Sequence, residues 1–412
     1  MPHDSQSLGE RERFRLGVNY WPARTAMGWW TDFDAAEVAS DFDRIAGAGF
    51  DSARVFLTWE DFQPTPTSVR SAMLDRLVVV ADLAEQAGLD LMPTLFTGHM
   101  SGVNWIPSWA LGGSGGDRRF RVMSGGSIVD AGLGNWYTSA EVGAAQALLA
   151  KAAATALAGH ASLWAWDLGN ENSNCVIPPS RSSPRDWLKR VTASIRTADP
   201  AALVTIGLHM EDLEEDRRLG PAEATEECDF LTMHGYPIYA AWSKGPTDEH
   251  LLAFLAQVTR WLGNGQSVLF SEFGLPTYRQ ADPVGQGVTD ASSFMLVEEQ
   301  RAARYTERAL SALRRTGCLG AMLWCYTDYE PAIWHKPPLD VATHERSFGL
   351  WRADNSPKPS VNVVKGFSGA DRVPVPGGYA WIDIEAEEFW TDPTNDLSRL
   401  YGRYRENEGL TS

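Results

Sequence analysis

Leu163-Trp-Ala-Trp-Asp-Leu-Gly-Asn-Glu171 is an apolar run that ends in an amide and a carboxylate. Its length and composition are typical of a buried strand. A charged side chain seldom ends such a strand for stability, because desolvation disfavours its ionised form unless a partner or a task offsets the cost. A second run, Val268-Leu-Phe-Ser-Glu272, ends in the same way about 100 residues later. The two glutamates therefore predict an acid and nucleophile pair in one pocket.

Apolar runs of this kind alternate with amphipathic helices from residue 16 onward, an order that favours a parallel sheet. The predicted strands are 16–20, 52–58, 89–96, 163–169, 202–207, 229–234, 267–273 and 319–326. The predicted helices are 35–46, 73–86, 139–158, 184–197, 248–261 and 297–315, with a weak one at 211–218. Eight strands in this order predict an α/β fold, a closed (β/α)8 TIM barrel, rather than an open sheet.

The chain divides by composition into three predicted parts. Residues 1–15 are expected to be a disordered or extended segment, residues 16–368 the barrel, and residues 369–412 an extension packed on the barrel. About forty residues rich in Pro and acidic side chains could hardly form a core alone. The extension carries aromatic residues expected to be exposed, which makes a subunit contact conceivable and leaves both a monomer and a homo-oligomer open. These residues are Tyr379, Trp381 and Trp390.

The charge balance argues against two classes of partner. The 412 residues include 36 basic and 53 acidic side chains, a net charge of −17. Such a charge opposes binding to phosphate backbones and to anionic membrane surfaces, so we predict neither nucleic acid nor membrane as a partner. Residues 1–15 contain no apolar segment of the kind that a secretory signal needs, and no later stretch offers eighteen apolar residues. A cytoplasmic location is the expectation.

No motif for a metal or a cofactor stands out. Four cysteines lie far apart without a Cys-x-x-Cys pair, and we expect reduced core thiols. His99, His209 and His234 come from three strands without the spacing of zinc sites. The stretch Gly112-Gly-Ser-Gly-Gly116 lacks the strand and helix that a phosphate cradle needs, so we interpret it as a flexible loop.

In barrels of this class the chemistry lies at the C-terminal ends of the strands. The candidates there are Asn19, Tyr20, Arg54, Trp59, His99, Asn170, Glu171, His209, His234, Tyr236, Glu272, Trp324 and Asp328. Taken alone, an Asn-Glu pair is more often a helix cap or a surface turn, and each other candidate has a structural explanation. Together they match the needs of a retaining glycosidase, in which a carboxylic acid protonates the leaving oxygen and a carboxylate about 5 Å away attacks the anomeric carbon.

With these motifs the chain resembles the clan A glycoside hydrolases, and within that clan family 5, the cellulase and mannanase family. The likeness spans most of residues 16–360. It rests on Arg54 on the second strand, His99 after the third, Asn170-Glu171 after the fourth, His234-Gly-Tyr236 after the sixth, Glu272 after the seventh and Trp324 on the eighth. The resemblance implies that Glu171 is the acid/base and that Glu272 is the nucleophile.

The resemblance also implies supporting roles. Arg54 and Tyr236 should donate hydrogen bonds to Glu272 and hold its pKa low enough for it to stay ionised, whereas the site of Glu171 should raise its pKa. Asn170 should bond the sugar 2-hydroxyl, and Trp324 should floor the subsite of the cleaved sugar. The substrate-binding candidates are Arg54, His99, Asn170, His234, Tyr236, Trp324, Trp105 and Asp328, with no metal and no cofactor.

Two loops suggest a closed pocket rather than an open cleft. Residues 96–136 and residues 326–334, with Asp328 and Glu330, are each expected to wall off one end. The arrangement most resembles the cytoplasmic β-mannosidases of family 5, which would make an oligosaccharide or glycoside the substrate. An endo-β-1,4-mannanase or a β-glucosidase would preserve every catalytic residue, and a silent carbohydrate-binding barrel is the alternative without turnover. The charged loop at 211–218 has no assigned role.

Overall fold

The computed structural model describes residues 13–112, 119–279 and 295–410. Within these ranges eight parallel strands form one sheet. The strands are β1 (Arg15–Asn19), β2 (Ser52–Thr58), β3 (Asp90–Thr97), β4 (Trp166–Asn170), β5 (Val204–Gly207), β6 (Leu231–His234), β7 (Val268–Phe273) and β8 (Gly320–Leu323). Their order is β5-β4-β3-β2-β1-β8-β7-β6, and a parallel bridge between His209 and His234 joins the two ends. The predicted (β/α)8 barrel is confirmed.

Helices cover the outside of the sheet, which is why the strands read as continuous apolar runs. Every residue of β2 is buried. The longer helices are α1 (Ala35–Gly47), α2 (Ser71–Ala87), α3 (Ala140–Ala156), α4 (Ser182–Ala198), α5 (His250–Leu262), α6 (Glu299–Arg315), α7 (Pro359–Phe367) and α8 (Pro393–Asn407). Four-residue helices occupy Trp59–Phe62, Glu211–Glu214, Pro221–Ala224 and Ala386–Phe389. The weak helix predicted at 211–218 is therefore a single turn, Glu211–Glu214.

Two helix ends coincide with residues that favour such ends in sequence, Asp34 at the start of α1 and Gly88 at the end of α2. Asp34 caps α1 with a carboxylate that accepts hydrogen bonds from two backbone N–H groups of the first turn. Gly88 ends α2 in the left-handed conformation, with φ of +74°, where a residue without a Cβ is least strained. Among the described residues, no helix combines the length and the apolarity that a membrane crossing requires. The four cysteines are buried free thiols, as expected.

The C-terminal residues pack on the outside of α5. The Phe254 ring lies 4.9 Å from that of Tyr401 in α8 and 5.4 Å from that of Trp381. Trp381 is buried, and Trp390 stacks under the guanidinium of Arg181 at 4.7 Å. The expectation that Trp381 is exposed is therefore wrong, because it packs on the apolar face of α5 within the same chain, and Tyr379 and Trp390 are half-buried.

The division of the chain at residue 369 stays a prediction. Most of the N-terminal segment predicted at 1–15 and most of the glycine-rich loop at 112–116 lie outside the described residues.

The segment after β3 reaches across the mouth of the barrel. It forms a small four-stranded sheet from His99–Met100, Val103–Trp105, Arg121–Ser124 and Ser127–Val129. Arg121 makes a two-pronged ion pair with Asp340, at 2.9 and 2.8 Å. Arg119 pairs with Glu211 at 2.9 Å. This segment thereby contacts the loops after β5 and β8, and the three loops surround a cavity of about 470 Å³.

Candidate active site

Glu171 leaves the end of β4 in a strained backbone conformation. Its φ of +48° lies in the left-handed region, which costs a residue other than glycine about 1–3 kcal/mol. Its backbone N–H donates to the carbonyl of Gly207 at 3.0 Å. Its carboxylate lies 2.9 Å from Nδ1 of His234 through Oε1, and it accepts from Nδ2 of Asn174 at 3.1 Å through Oε2. Each carboxylate oxygen of Glu171 is therefore held by a different element, Oε1 by β6 and Oε2 by the turn that follows β4.

Glu272 lies on β7 and is 4% exposed. Arg54 donates from Nη1 to Oε1 at 2.5 Å, and the Tyr236 hydroxyl donates to Oε2 at 2.9 Å. These are the two hydrogen bonds that the sequence predicted. Arg54 is completely buried, and its Nη2 also donates to Asp167 at 2.5 Å and to Asn170 at 2.8 Å. One guanidinium thus links β2, β4 and β7 beneath the cavity floor.

The two glutamates face each other within the cavity. One carboxylate oxygen of Glu171, one of Glu272 and one ring nitrogen of His234 all lie within 4.8 Å of one another. Such a set has the donors that a divalent metal could use, as does a surface group of Asp82, Glu85 and His160. The expectation that the protein uses no metal stays a prediction.

Burial dominates the electrostatics of the pair. It raises the pKa of Glu171 above the ordinary range, as predicted for a proton donor. It also raises the pKa of Glu272, although the positive charge of Arg54 and the hydrogen bond from the Tyr236 hydroxyl act in the opposite direction. Desolvation therefore outweighs the hydrogen bonds of Glu272, and the expectation that these bonds keep it ionised stays a prediction. Burial lowers the pKa of His234 to about 4, so its imidazole is neutral at pH 7.

Most of the predicted site residues meet at this cavity. Its lining includes His99, Asn170, Glu171, His209, His234, Tyr236, Glu272 and Trp324. Asn170 accepts from Arg54 and donates from Nδ2 to the carbonyl of His99 at 2.7 Å. Trp324 precedes a cis peptide bond and donates from its indole N–H to Glu345 at 3.2 Å.

Three predicted substrate-binding residues lie outside the lining of this cavity, namely Arg54, Trp105 and Asp328. Trp105 is not part of the cavity lining and packs against the hydrophobic core. Asp328 is bound to Nζ of Lys358 at 2.7 Å and to the backbone N–H of Gly349 at 2.9 Å, away from the lining. Neither Asp328 nor Glu330 walls the pocket. The chain passes them before it returns to the mouth at residues 342–345. Two further strand-end candidates, Tyr20 and Trp59, also belong to the core.

Several lining residues escaped the sequence analysis, among them those of the segment after β8. The carboxylate of Glu345 accepts hydrogen bonds from Ser101 at 3.0 Å, from Trp324 and from Tyr239 at 3.3 Å. Other missed residues include Arg119, Phe120, Asn174, Glu211, Glu214, Tyr239 and His344. The run Thr343-His-Glu-Arg346 is the only signal that the sequence offered there, a charged cluster within a long aromatic loop.

Known proteins resemble this chain in sequence and in fold. No protein-family model matches it. The probable mannan endo-1,4-beta-mannosidase F of Emericella nidulans is 28% identical over 234 residues, which cover 53% of this chain and 49% of the relative. The match thus spans about half the length of this curated relative.

Solved structures match over more of the chain. An exo-beta-1,4-mannosidase from Opitutaceae bacterium strain TAV5 is 27% identical, with a TM-score of 0.68 over 86% of this chain and 59% of that one. GH5_18 from Streptomyces cattleya, solved with GlcNAc and, as a variant, with Manb1-4GlcNAc, is 21% identical. Its TM-scores are 0.76 and 0.74 over 96% of this chain and 92% of that one. The chain therefore resembles the clan A glycoside hydrolases of family 5, as its strand-end motifs indicated.

Proposed function

We propose that this chain is a retaining β-glycoside hydrolase that removes terminal β-linked mannose from short oligosaccharides. The observation that carries the proposal is the approach of the Glu171 and Glu272 carboxylate oxygens to within 4.8 Å in one cavity. Retaining enzymes place their carboxyl groups about 5 Å apart, whereas inverting enzymes need about 6.5–9.5 Å to admit a water between them. The separation supports a double displacement.

The hydrogen bonds divide the two roles. Glu272, held by Arg54 and Tyr236, attacks the anomeric carbon while Glu171 donates its proton to the glycosidic oxygen, so the bond to the leaving sugar breaks and a glycosyl ester forms. Glu171 is then ionised and takes a proton from water. The water oxygen attacks the same carbon, and the ester bond to Glu272 breaks. The raised pKa of Glu171 supports its starting role as the acid.

Two other side chains are placed to hold the sugar. One amide hydrogen of Asn170 bonds the His99 carbonyl, and the amide group borders the cavity, which suits a contact with the sugar 2-hydroxyl. Trp324 also borders the cavity, and a flat indole matches the apolar C–H face of a pyranose.

Action at a chain end is supported by the loops around the mouth. The Arg119–Glu211 and Arg121–Asp340 pairs tie the segment after β3 to two other loops, which favours a pocket over a through-going cleft. The Opitutaceae structure is described as an exo-mannosidase, and the variant of GH5_18 was solved with a disaccharide. Mannose specificity is proposed here on these likenesses.

An endo-β-1,4-mannanase is the second candidate, favoured by the likeness to the Emericella nidulans protein.

The test is hydrolysis of p-nitrophenyl β-mannoside, glucoside, galactoside and xyloside, with Glu272→Ala as control, and NMR of the first-formed anomer. Mannoside turnover with retained configuration supports the proposal. Glucoside turnover alone would reassign the chain to the β-glucosidases. Release of internal fragments from mannan would favour the endo-enzyme, and no turnover of any substrate would favour a silent binding barrel.

The oligomeric state and the cytoplasmic location stay predictions.

A further inference from the structure

Apart from the Arg119–Glu211 pair, the charged loop at residues 211–218 has no part in the roles proposed above, yet it buries a cation. Arg217 is 1% exposed, whereas Arg218 beside it donates to the backbone carbonyls of Pro178 and Pro179. A guanidinium stays charged when buried, so it persists there only with partners for its donors. The hydrogen-bond partners of Arg217 therefore indicate what the loop contributes to the site.

Arg217 contacts its own loop on one side and the residues that follow Glu171 on the other. It pairs with Glu211 through Nη2 and with Glu215 through Nε at 3.2 Å. Its Nη1 donates to Oδ1 of Asn174 at 2.8 Å and to the hydroxyl of Ser173 at 3.3 Å. Asn174 also accepts a longer hydrogen bond, at 3.5 Å, from Arg119 at the mouth of the cavity.

The two ends of the Asn174 amide are chemically different, and Arg217 sets which end faces where. A guanidinium has donors and no acceptor, so it must meet the amide oxygen. The amide nitrogen is thereby directed toward Oε2 of Glu171, to which it donates at 3.1 Å. If the amide turned over, its oxygen would face the carboxylate and the hydrogen bond would be lost.

We propose that Arg217 is a positioning residue that acts through Asn174 to hold the carboxyl group of Glu171 in place for proton transfer. This role rests on the proposed function. Proton transfer requires the acid within hydrogen-bond reach of the glycosidic oxygen, and a displacement of about 1 Å can reduce the rate about 100-fold. His234 holds Oε1 and Asn174 holds Oε2, so the loop, through Arg217, orients the donor of one of these two hydrogen bonds.

The competing explanation is that Arg217 only fixes its own loop through Glu211 and Glu215. Both explanations predict a less stable protein when Arg217 is replaced. They differ in leaving-group dependence, because a 2,4-dinitrophenolate departs without a proton whereas a phenolate needs the acid. A purely structural residue has no reason to distinguish the two substrates.

The experiment compares kcat/KM for a 2,4-dinitrophenyl and a phenyl β-glycoside, both of the sugar that the wild-type chain hydrolyses. The variants are Arg217→Met and Asn174→Ala, the second carrying no charge change in case the first folds poorly. Arg218→Ala is the matched control, an arginine from the same loop that contacts neither Asn174 nor Glu171.

We expect a loss of about 10- to 100-fold on the phenyl substrate and of less than about 3-fold on the dinitrophenyl substrate for both test variants. Arg218→Ala should change neither. Azide, which needs no general base, should accelerate dinitrophenyl turnover by the variants more than by wild type. Equal losses on the two substrates, with an active wild type, would overturn the positioning role alone. A wild-type chain that hydrolyses no aryl glycoside would overturn the proposed function and this role with it.

Discussion

Nη1 of Arg54 lies 2.5 Å from Oε1 of Glu272, and the two side chains are 0% and 5% exposed. The same guanidinium pairs with Asp167 at 2.5 Å, so one positive charge offsets two buried carboxylates. Ion pairs at this depth stabilise little in net terms, because desolvation consumes most of the attraction, but removing one partner leaves a charge that nothing compensates.

Replacing Arg54 should therefore be costly. We expect Arg54→Met to lower the free energy of unfolding by about 3–5 kcal/mol, since Asp167 and Glu272 would remain buried without their cation. Urea denaturation monitored by tryptophan fluorescence measures the change. Arg15→Met is the control, because Arg15 pairs with Asp90 at 2.5 Å at the opposite end of the barrel and both partners are partly exposed. A loss for Arg54→Met no larger than that for Arg15→Met would contradict this account.

Asp328 and Glu272 should respond in opposite ways. Asp328 binds Lys358 outside the cavity lining, so Asp328→Asn should destabilise the fold and leave kcat/KM within about 2-fold of wild type. Glu272→Gln should retain the fold and lose activity by about 10⁴-fold or more, as expected for loss of a nucleophile. Melting temperature and kcat/KM together separate the two effects. If Asp328→Asn loses most of its activity at unchanged stability, Asp328 takes part in substrate binding after all.

The alkaline limb of the pH profile should follow Glu171. Burial raises its pKa, and the hydrogen bond from Asn174 lowers it by favouring the ionised form. Removing that donor in Asn174→Ala should move the alkaline limb of kcat/KM to higher pH. The other charged or titratable groups near Glu171 are Arg54, His99, Glu211, His234 and Glu272. A limb that moves to lower pH would show that one of them, rather than Asn174, controls the proton.

Asp212 gives a pH effect on stability. Burial raises the pKa of this carboxyl to about 7, against about 3.9 in an unfolded chain. The folded state then binds more protons between these values, so stability should fall as pH rises from about 4 to about 7. Asp212→Asn, which still offers an acceptor to the backbone N–H of His209, should abolish this decline and be more stable than wild type at pH 8. Melting temperatures of both proteins, measured from pH 4 to pH 8, test this prediction. If the two proteins show the same dependence of melting temperature on pH, the assignment to Asp212 is refuted.

The Arg121–Asp340 pair should control the shape of the mouth. Its side chains are 30% and 29% exposed, so it contributes little to stability, about 1 kcal/mol or less. Arg121→Asp should push the two loops apart by repulsion and increase the rate on longer mannooligosaccharides relative to mannobiose. The double variant Arg121→Asp with Asp340→Arg should restore the wild-type ratio. The ratio of the hydrolysis rates on longer mannooligosaccharides and on mannobiose is measured by chromatography of the products. If this ratio is unchanged in the single variant, the pair does not close the pocket.

The strand-end residues were predictable because their position depends on local signals. An apolar run, its length and the residue that follows it place Glu171, His234 and Glu272 on one rim once the barrel is assumed. Residues deep in loops were not predictable. Glu345 and Arg217 reach the site only because long segments fold back over the mouth, and their sequence neighbourhoods are merely charged.

The errors have the same origin. Asp328 lies close to the end of β8 in sequence, but the chain has already turned toward Lys358. Trp381 lies in a segment rich in Pro, Gly and acidic residues, yet α5 supplies an apolar surface against which it packs. Periodicity and composition describe what precedes and follows a residue, and neither describes which distant segment covers it.

The link from β2 to both β4 and β7 through Arg54 has a consequence for partly folded states. Glu171 and Glu272 are brought together only when strands from both halves of the chain have closed around this one side chain. An intermediate that retains either half of the barrel would possess one carboxylate without the other. Turnover therefore reports closure of the ring, and it should vanish in denaturant with the first transition that opens the barrel, even where part of the fold persists.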